Sequence, residues 1–309
     1  MANDEPKIDQ FAAADIDESV PRLLRDLGNP EPPLKLEDVR ALQKLDLTYY
    51  SKSDLNLLDE MAHRVTLAGN FITTSARRMF DVVTKAGLKA LIVPEQRQIY
   101  IDKEVVDKKR RFILAHEITH DLLPWHRSLL LGDNEESLSP RCHQEMEAEA
   151  NYGARQLIFL GDRFSTEVRD HDLEWKTLQK LSKDYGNTIT TTLWQAIQCR
   201  DPAVPMFGMI GRHPYHADIG KRAGSENVAY FIRSNSFVDR FGHVTDAETY
   251  SAMCSYVRPT KRGPMGEGTC LFTDVNGEVY EFYLTSFSNS YDLLTMGHLV
   301  GPHRRVVGF

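Results

Sequence analysis

Apolar residues repeat at helical spacing through much of the chain ahead of Asp201 and turn to alternation beyond it. Val20, Leu23 and Leu24 predict a short amphipathic piece over residues 19–26, after a polar, acidic start. A proline-rich elbow at Asn29, Pro30, Pro32 and Pro33 separates it from a helix whose apolar face is Leu36, Val39, Leu42 and Leu45. Residues 55–65 predict another helix. Two short apolar runs, 90–93 and 98–101, are joined by Pro94-Glu-Gln-Arg and predict a β-hairpin. Asp102 is placed to cap a helix over 103–123 that Pro124 closes. Residues 126–143 predict a long loop, 144–160 a helix, and 173–185 and 189–198 a helical pair split by Gly186-Asn187-Thr188.

Beyond Asp201-Pro-Ala-Val-Pro the texture changes. Residues 228–232, 270–273 and 278–284 predict strands, the last two joined at Asn276-Gly277, a strong hairpin signal. The fold class expected is therefore α+β: a mainly helical domain with a short β-sheet, then a mixed, β-rich domain. The expected divisions are a flexible acidic tail over 1–18, a first domain over 19–165, a helix-turn-helix-like pair over 166–200 and a C-terminal domain over 201–309.

The helix over 103–123 carries the most specific chemistry. His116-Glu-Ile-Thr-His120 is a complete H-E-x-x-H run in apolar surroundings. Residues four apart share a helix face, so both imidazoles can address one metal ion, and Glu117 beside them can reach water at that ion as general base. A catalytic zinc needs a third protein ligand. The next helix offers Glu145, Glu147 and Glu149. From Glu147 the helical face continues through Ala150, Asn151, Ala154 and Ile158, small enough to pack close against the motif helix; from Glu149 it runs through Tyr152, Gly153, Gln156 and Leu160. Glu147 is thus the expected ligand, Glu149 the second choice and Glu145 the third. Zn2+ suits two imidazoles and a carboxylate, with Mn2+ as the alternative.

Around this centre, Tyr152, His126 and His143 are the candidate oxyanion donors. Asp121 is either an orienting partner for a histidine or a solvent-facing charge. Cys142, expected in the loop between the two helices, is a candidate thiol that blocks the open metal position; the competing reading is a plain free thiol. The strand just ahead of the motif helix is a candidate edge for pairing with a substrate backbone.

Arg111-Phe-Ile-Leu-Ala-His-Glu-Ile-Thr-His, followed by Glu147-Ala-Glu-Ala-Asn-Tyr-Gly-Ala-Arg-Gln-Leu-Ile-Phe, resembles the ImmA/IrrE family of metallo-endopeptidases over roughly residues 20–200. The departures are Gly153 in place of an aromatic residue and Ile158-Phe159-Leu160 where a proline often ends the pattern. The resemblance implies a zincin-like peptidase domain and a cytoplasmic regulatory protease. Its implied substrate is a helix-turn-helix (XRE-like) repressor, cleaved to release a stress, phage or mobile-element programme. It also implies a C-terminal extension of the GAF-like sensor type.

Bulk properties narrow these readings. At 309 residues, 41% hydrophobic and 26% charged, the composition is that of a globular protein, and the formal charge of −7 does not favour nucleic-acid binding over the whole surface. The start of the chain has neither a basic nor an apolar signal region, and no apolar run reaches membrane-span length. Four scattered cysteines without a C-x-x-C pair suit free thiols in a reducing cytoplasm. Segment 166–200 sets Arg169, Lys176, Lys180, Lys183 and Arg200 against Glu167, Asp170, Asp172, Glu174 and Asp184, a neutral balance that favours packing or substrate grip over groove reading. Arg258, Lys261, Arg262, Arg304 and Arg305 are either a solvated surface or a site for an activating ligand or nucleic acid in the C-terminal domain. The competing class is a non-cleaving metal-containing sensor, or a DNA-binding or antitoxin-like regulator.

Overall fold

The computed structural model describes residues 8–51, 89–131, 140–213 and 224–303. The helix expected over 55–65, residues 132–139 of the loop expected over 126–143, and Arg304 and Arg305 lie outside them. The protein is α+β with two sheets. It divides into two compact units, Pro6–Gly161 with Asp184–Asn187, and Asp162–Lys183 with Thr188–Phe309. The division falls at Gly161/Asp162, ahead of the change of texture at Asp201.

The first unit opens with α1 (Gln10–Asp26), where the acidic composition had predicted a loose tail through residue 18. Asp9 caps it, accepting from the Phe11 N–H at 2.9 Å. Ile16 extends the stripe of Val20, Leu23 and Leu24 one turn back, and all four are buried; each such side chain contributes about 1.5–3 kcal/mol when buried. Helix α2 (Leu36–Gln43) ends where Lys44 turns left-handed at φ 54°. Strands β1 (Asp46–Tyr50), β2 (Ala90–Val93) and β3 (Gln98–Asp102) form a sheet in the order β1-β3-β2. The 90–93/98–101 hairpin is present, closed by Arg97 at φ 55°.

The strand ahead of the motif helix is therefore not an edge. β3 is the middle strand, paired parallel with β1 and antiparallel with β2. Its run Ile99-Tyr-Ile is buried on both faces, which the continuous apolar sequence reflects.

Helix α3 (Asp107–Leu122) carries the metal motif. It starts later than expected: Asp102 does not cap it but accepts from the Glu104 N–H in the turn before it, and Val106 is the N-cap residue. Pro124 does not open a loop; it starts α4 (Pro124–Leu131), since proline is well tolerated in a first helical turn. Helix α5 (Pro140–Ile158) begins four residues ahead of its expected start, for nothing in its first turn breaks helical geometry. It crosses α3 closely. Ala115, Ile118, Ala150 and Ala154 are fully buried, and a Cβ built on Gly153 would lie 2.5 Å from Thr119 Cγ2. The glycine that departs from the family pattern sits against the motif helix itself.

Arg111 ties this unit together. Its Nη1 donates to the Leu34 carbonyl at 2.8 Å in the proline elbow, and its Nε to Asn187 Oδ1 at 3.1 Å.

The second unit contains α6 (Asp162–Arg169), α7 (Trp175–Asp184, entering the turn 184–187) and α8 (Ile189–Cys199). A five-stranded antiparallel sheet follows, built from β4 (Met206–Gly211), β5 (Val228–Arg233), β6 (Gly263–Thr273), β7 (Val279–Ser288) and β8 (Leu293–Pro302) in the order β5-β4-β8-β7-β6. Helices α9 (Asn235–Phe241) and α10 (Asp246–Cys254) lie between β5 and β6 in sequence. Phe207, Phe237, Phe241, Phe272 and Phe282 fill its core, with Phe241 and Phe282 perpendicular at 5.0 Å. The Asn276-Gly277 hairpin is present but wider than two residues, because the Asp274 carboxylate gathers the N–H groups of Asn276 and Glu278.

Candidate metal centre and its surroundings

The α3–α5 crossing brings His116, His120 and Glu147 together. The two Nε2 atoms are 3.1 Å apart, and Glu147 places Oε2 3.3 Å from His116 Nε2 and Oε1 3.5 Å from His120 Nε2. Bonds of about 2.0–2.2 Å in a tetrahedral zinc site separate ligand atoms by about 3.3–3.6 Å. The triangle formed by these three donors is close to one face of such a site. Among the described residues, this is the group of histidine, cysteine and acidic side chains that converges in this way.

The protonation chemistry fits as well. His116 Nδ1 lies 3.0 Å from Asn151 Oδ1, an acceptor, so that nitrogen carries the proton and leaves the Nε2 lone pair toward the centre. Burial, with His116 and His126 close by, pushes His120 down to about 4 and keeps it a neutral imidazole at neutral pH. Burial also opposes charge on Glu147, but hydrogen bonding to the two histidines outweighs it and holds the carboxyl well below its ordinary range. Three electron-pair donors, two imidazoles and a carboxylate, thus face one another, an arrangement that a cation satisfies and that the donors alone do not. In the metal-free chain a proton on His116 answers part of that demand. Burial disfavours it, yet contact with Glu147 and the charge of Glu117 raise that imidazole above its ordinary value.

Glu117 is 7% exposed. Burial pushes its carboxyl up to about 7, reinforced by Glu147 and opposed by His116 and by the Ile92 N–H of β2. A carboxylate titrating there is well matched to general-base work near neutral pH. The strand beside it is β2, which is an edge strand among the described residues. Tyr50, at the end of β1, is also within the field of Glu117. Its hydroxyl is pushed up to about 12 by burial, then by Asp102 and Glu117. Nothing in the spacing of the sequence pointed to Tyr50.

The structure sends several candidates elsewhere. Tyr152 donates its hydroxyl to Asp17 of α1 at 2.8 Å and is not an oxyanion donor, because α5 turns it toward α1. His126 is fully buried, its Nδ1 2.9 Å from His120 Nδ1 and its Nε2 2.8 Å from Glu149; it touches a candidate ligand from behind and is no oxyanion donor. Glu149 consequently faces His126 and Trp125 rather than the metal centre. Burial pushes its carboxyl up, but the hydrogen bonds from those two rings outweigh this and the group lies below its ordinary range. Glu145 is exposed and paired with Arg141. His143, exposed near the start of α5, and Cys142, half-buried one residue earlier, are not among the converging donors. Cys142 sits in the first turn of α5 and not in a loop, since that helix begins at Pro140. Asp121 neither orients a histidine nor meets solvent: it is fully buried, bound by Arg97 and by Arg127 at 2.9 Å.

Sequence reasoning did not foresee the role of Asn151 in orienting His116, although Asn151 lies four residues from Glu147 on the face singled out for close packing. That spacing was the available signal.

No family model matches this chain. Over 143 residues, 46% of the chain and 50% of the relative, it is 25% identical to the radiation response metalloprotease IrrE of Deinococcus deserti. The match spans about half the length of that curated relative. A solved Mycobacterium tuberculosis transcriptional regulator aligns over 93% of this chain and 88% of its own, at a TM-score of 0.48 and 12% identity; likeness at that level implies nothing about function.

Proposed function

We propose that this chain is a metal-dependent endopeptidase of the ImmA/IrrE kind. In this reading His116, His120 and Glu147 hold the ion and Glu117 is the general base, on a zincin-like domain. The observation that carries it is the convergence of the three donors with a buried carboxylate of neutral-range pKa next to them. The distant likeness to a metalloprotease supports the same class.

A bound divalent ion, zinc by the donor set, would acidify water and polarise a peptide carbonyl. The chain's own groups do the rest. Glu117 takes the proton of the attacking water at its carboxylate and delivers it to the leaving nitrogen. Asn151 holds the His116 ring with its Nε2 toward the centre. The edge of β2, whose Ile92 N–H touches Glu117, lies where an extended substrate backbone would lie beside the base.

The substrate in this reading is a helix-turn-helix repressor, and the compartment is the cytoplasm, in keeping with four thiols. No helix among the described residues is long and apolar enough to cross a membrane. The second unit would receive the activating ligand or nucleic acid. Its five-stranded sheet with helices inserted between β5 and β6 suits a sensor of the GAF-like type. The competing reading, a metal-containing regulator that does not cleave, leaves the buried, costly Glu117 without a purpose.

The test is co-incubation with any helix-turn-helix protein found to be encoded beside this chain, wild type against Glu117→Gln, with and without chelator, read by intact mass. A cut made only by the metal-loaded wild type is expected. Equal biological effect of both proteins without a cut would replace the protease with a binder.

A further inference from the structure

We propose that His126 and Glu149 form a buried positioning relay that fixes the ring of His120 with its Nε2 lone pair toward the metal centre. The inference rests on the metal-site reading and deepens it. It follows from counting protons along one chain of contacts.

The count starts at Glu149. A carboxylate only accepts, and its Oε2 meets two rings: Trp125 Nε1 at 2.7 Å, which can only donate, and His126 Nε2 at 2.8 Å. His126 Nε2 therefore carries a proton. In a neutral imidazole that leaves Nδ1 with the lone pair, and His126 Nδ1 faces His120 Nδ1 at 2.9 Å. Two ring nitrogens at that distance share one hydrogen, so His120 Nδ1 must donate it. Its Nε2 is then bare, and it is this atom that points at His116 and Glu147.

Asn151 sets His116 in the same tautomer from the opposite side. The two candidate ligands are thus turned alike by unrelated partners, one an amide on α5 and one a histidine–carboxylate pair spanning α4 and α5. His126 is fully buried and the Glu149 side chain is 14% exposed, so water does not readily replace either partner. A histidine ligand usually leans directly on a carboxylate or carbonyl. Here a second imidazole is interposed, because α4 begins right after the motif helix and carries His126 back beneath it.

Glu149→Leu removes the acceptor that holds the proton on His126 Nε2, so nothing fixes the tautomer of either ring and His120 can carry its proton on Nε2, which closes the lone pair. Glu149→Gln is the conservative control: Trp125 can only donate, so the glutamine turns its oxygen to both rings and keeps the relay.

The experiment uses the full chain labelled with 15N-histidine, stripped of metal and held at pH 8. Long-range 1H–15N correlations of the rings report each tautomer, and zinc affinity is read by competition with a chromophoric chelator. The expected result is His120 protonated on Nδ1 in the wild type and in Glu149→Gln, and at least partly on Nε2 in Glu149→Leu, with the zinc affinity of Glu149→Leu reduced by roughly 10–100-fold. A structural role alone would leave the tautomer unchanged. A wild-type His120 protonated on Nε2 overturns the relay whatever happens to the variants, as does a zinc-binding wild type matched by Glu149→Leu. A wild type that binds no zinc overturns the metal-site reading, and the relay's purpose with it.

Discussion

Replacing Glu117 by glutamine should make the metal-free protein more stable, and only at the higher pH. The carboxyl is buried and its pKa is pushed up from 4.5 to about 7, chiefly by loss of water. Folding then binds a proton that the unfolded chain does not hold between those values. A carboxyl raised in the folded state contributes fully below the unfolded value of 4.5, and the contribution is lost as pH rises through about 7. The whole shift is worth about 3.4 kcal/mol at 1.36 kcal/mol per unit. Between pH 5 and pH 8 the wild type should lose about 2.5 kcal/mol of it. Glutamine keeps the shape, can still accept from the Ile92 N–H and has no charge to bury, so the variant should not show that loss. Native-state hydrogen exchange of peptides from α3 and β2, in chelator, reads this unit apart from the other. Variant and wild type should exchange at similar rates at pH 5. At pH 8 the variant should be slower by roughly 50–100-fold. An equal ratio at the two pH values would refute the reasoning, by showing that the unmetallated site does not bear the cost of a buried base.

Two further outcomes test the frame around the site. Gly153→Ala should cost about 1–3 kcal/mol by overpacking, since its Cβ would meet the buried Thr119 of the motif helix at 2.5 Å; an unchanged urea midpoint would show that α3 and α5 can part freely. Asp121→Asn should cost about 3 kcal/mol, the lower end of the range for breaking a buried pair, because Arg97 and Arg127 are themselves 33% and 40% exposed; a thermal melt indistinguishable from wild type would remove Asp121 as the tie between the β-hairpin and α3.

The readings that held were those decided by one helix at a time. The separation of His116 from His120 is one helical turn, so their shared face was legible without a fold. The meeting of Glu147 with both was legible too, since Ala150 and Ala154 make its face of α5 small enough to approach α3, although Gly153, read on the Glu149 face, packs against α3 as well. The hairpin at 90–101 and the β-rich texture beyond Asp201 were likewise local.

What failed to show in the sequence was every relation that depends on which neighbour arrives. Residues 10–18 read as a tail because their composition is acidic, yet Ile16 is buried and Asp17 accepts from Tyr152, more than a hundred residues away. β3 reads as a plausible edge because β1 is remote in sequence and joins it only through long-range pairing. Glu149, two residues from Glu147, reads as a rival ligand; the 100° turn per residue of a helix carries it round to His126 instead. The sequence by itself determined the donor types and the local spacing of the candidate centre, since those are properties of a single helix turn. Which carboxylate faces the centre, which histidine stands behind it and which strand lies beside the base were decided by the tertiary structure, because packing sets the rotation of each helix about its own axis.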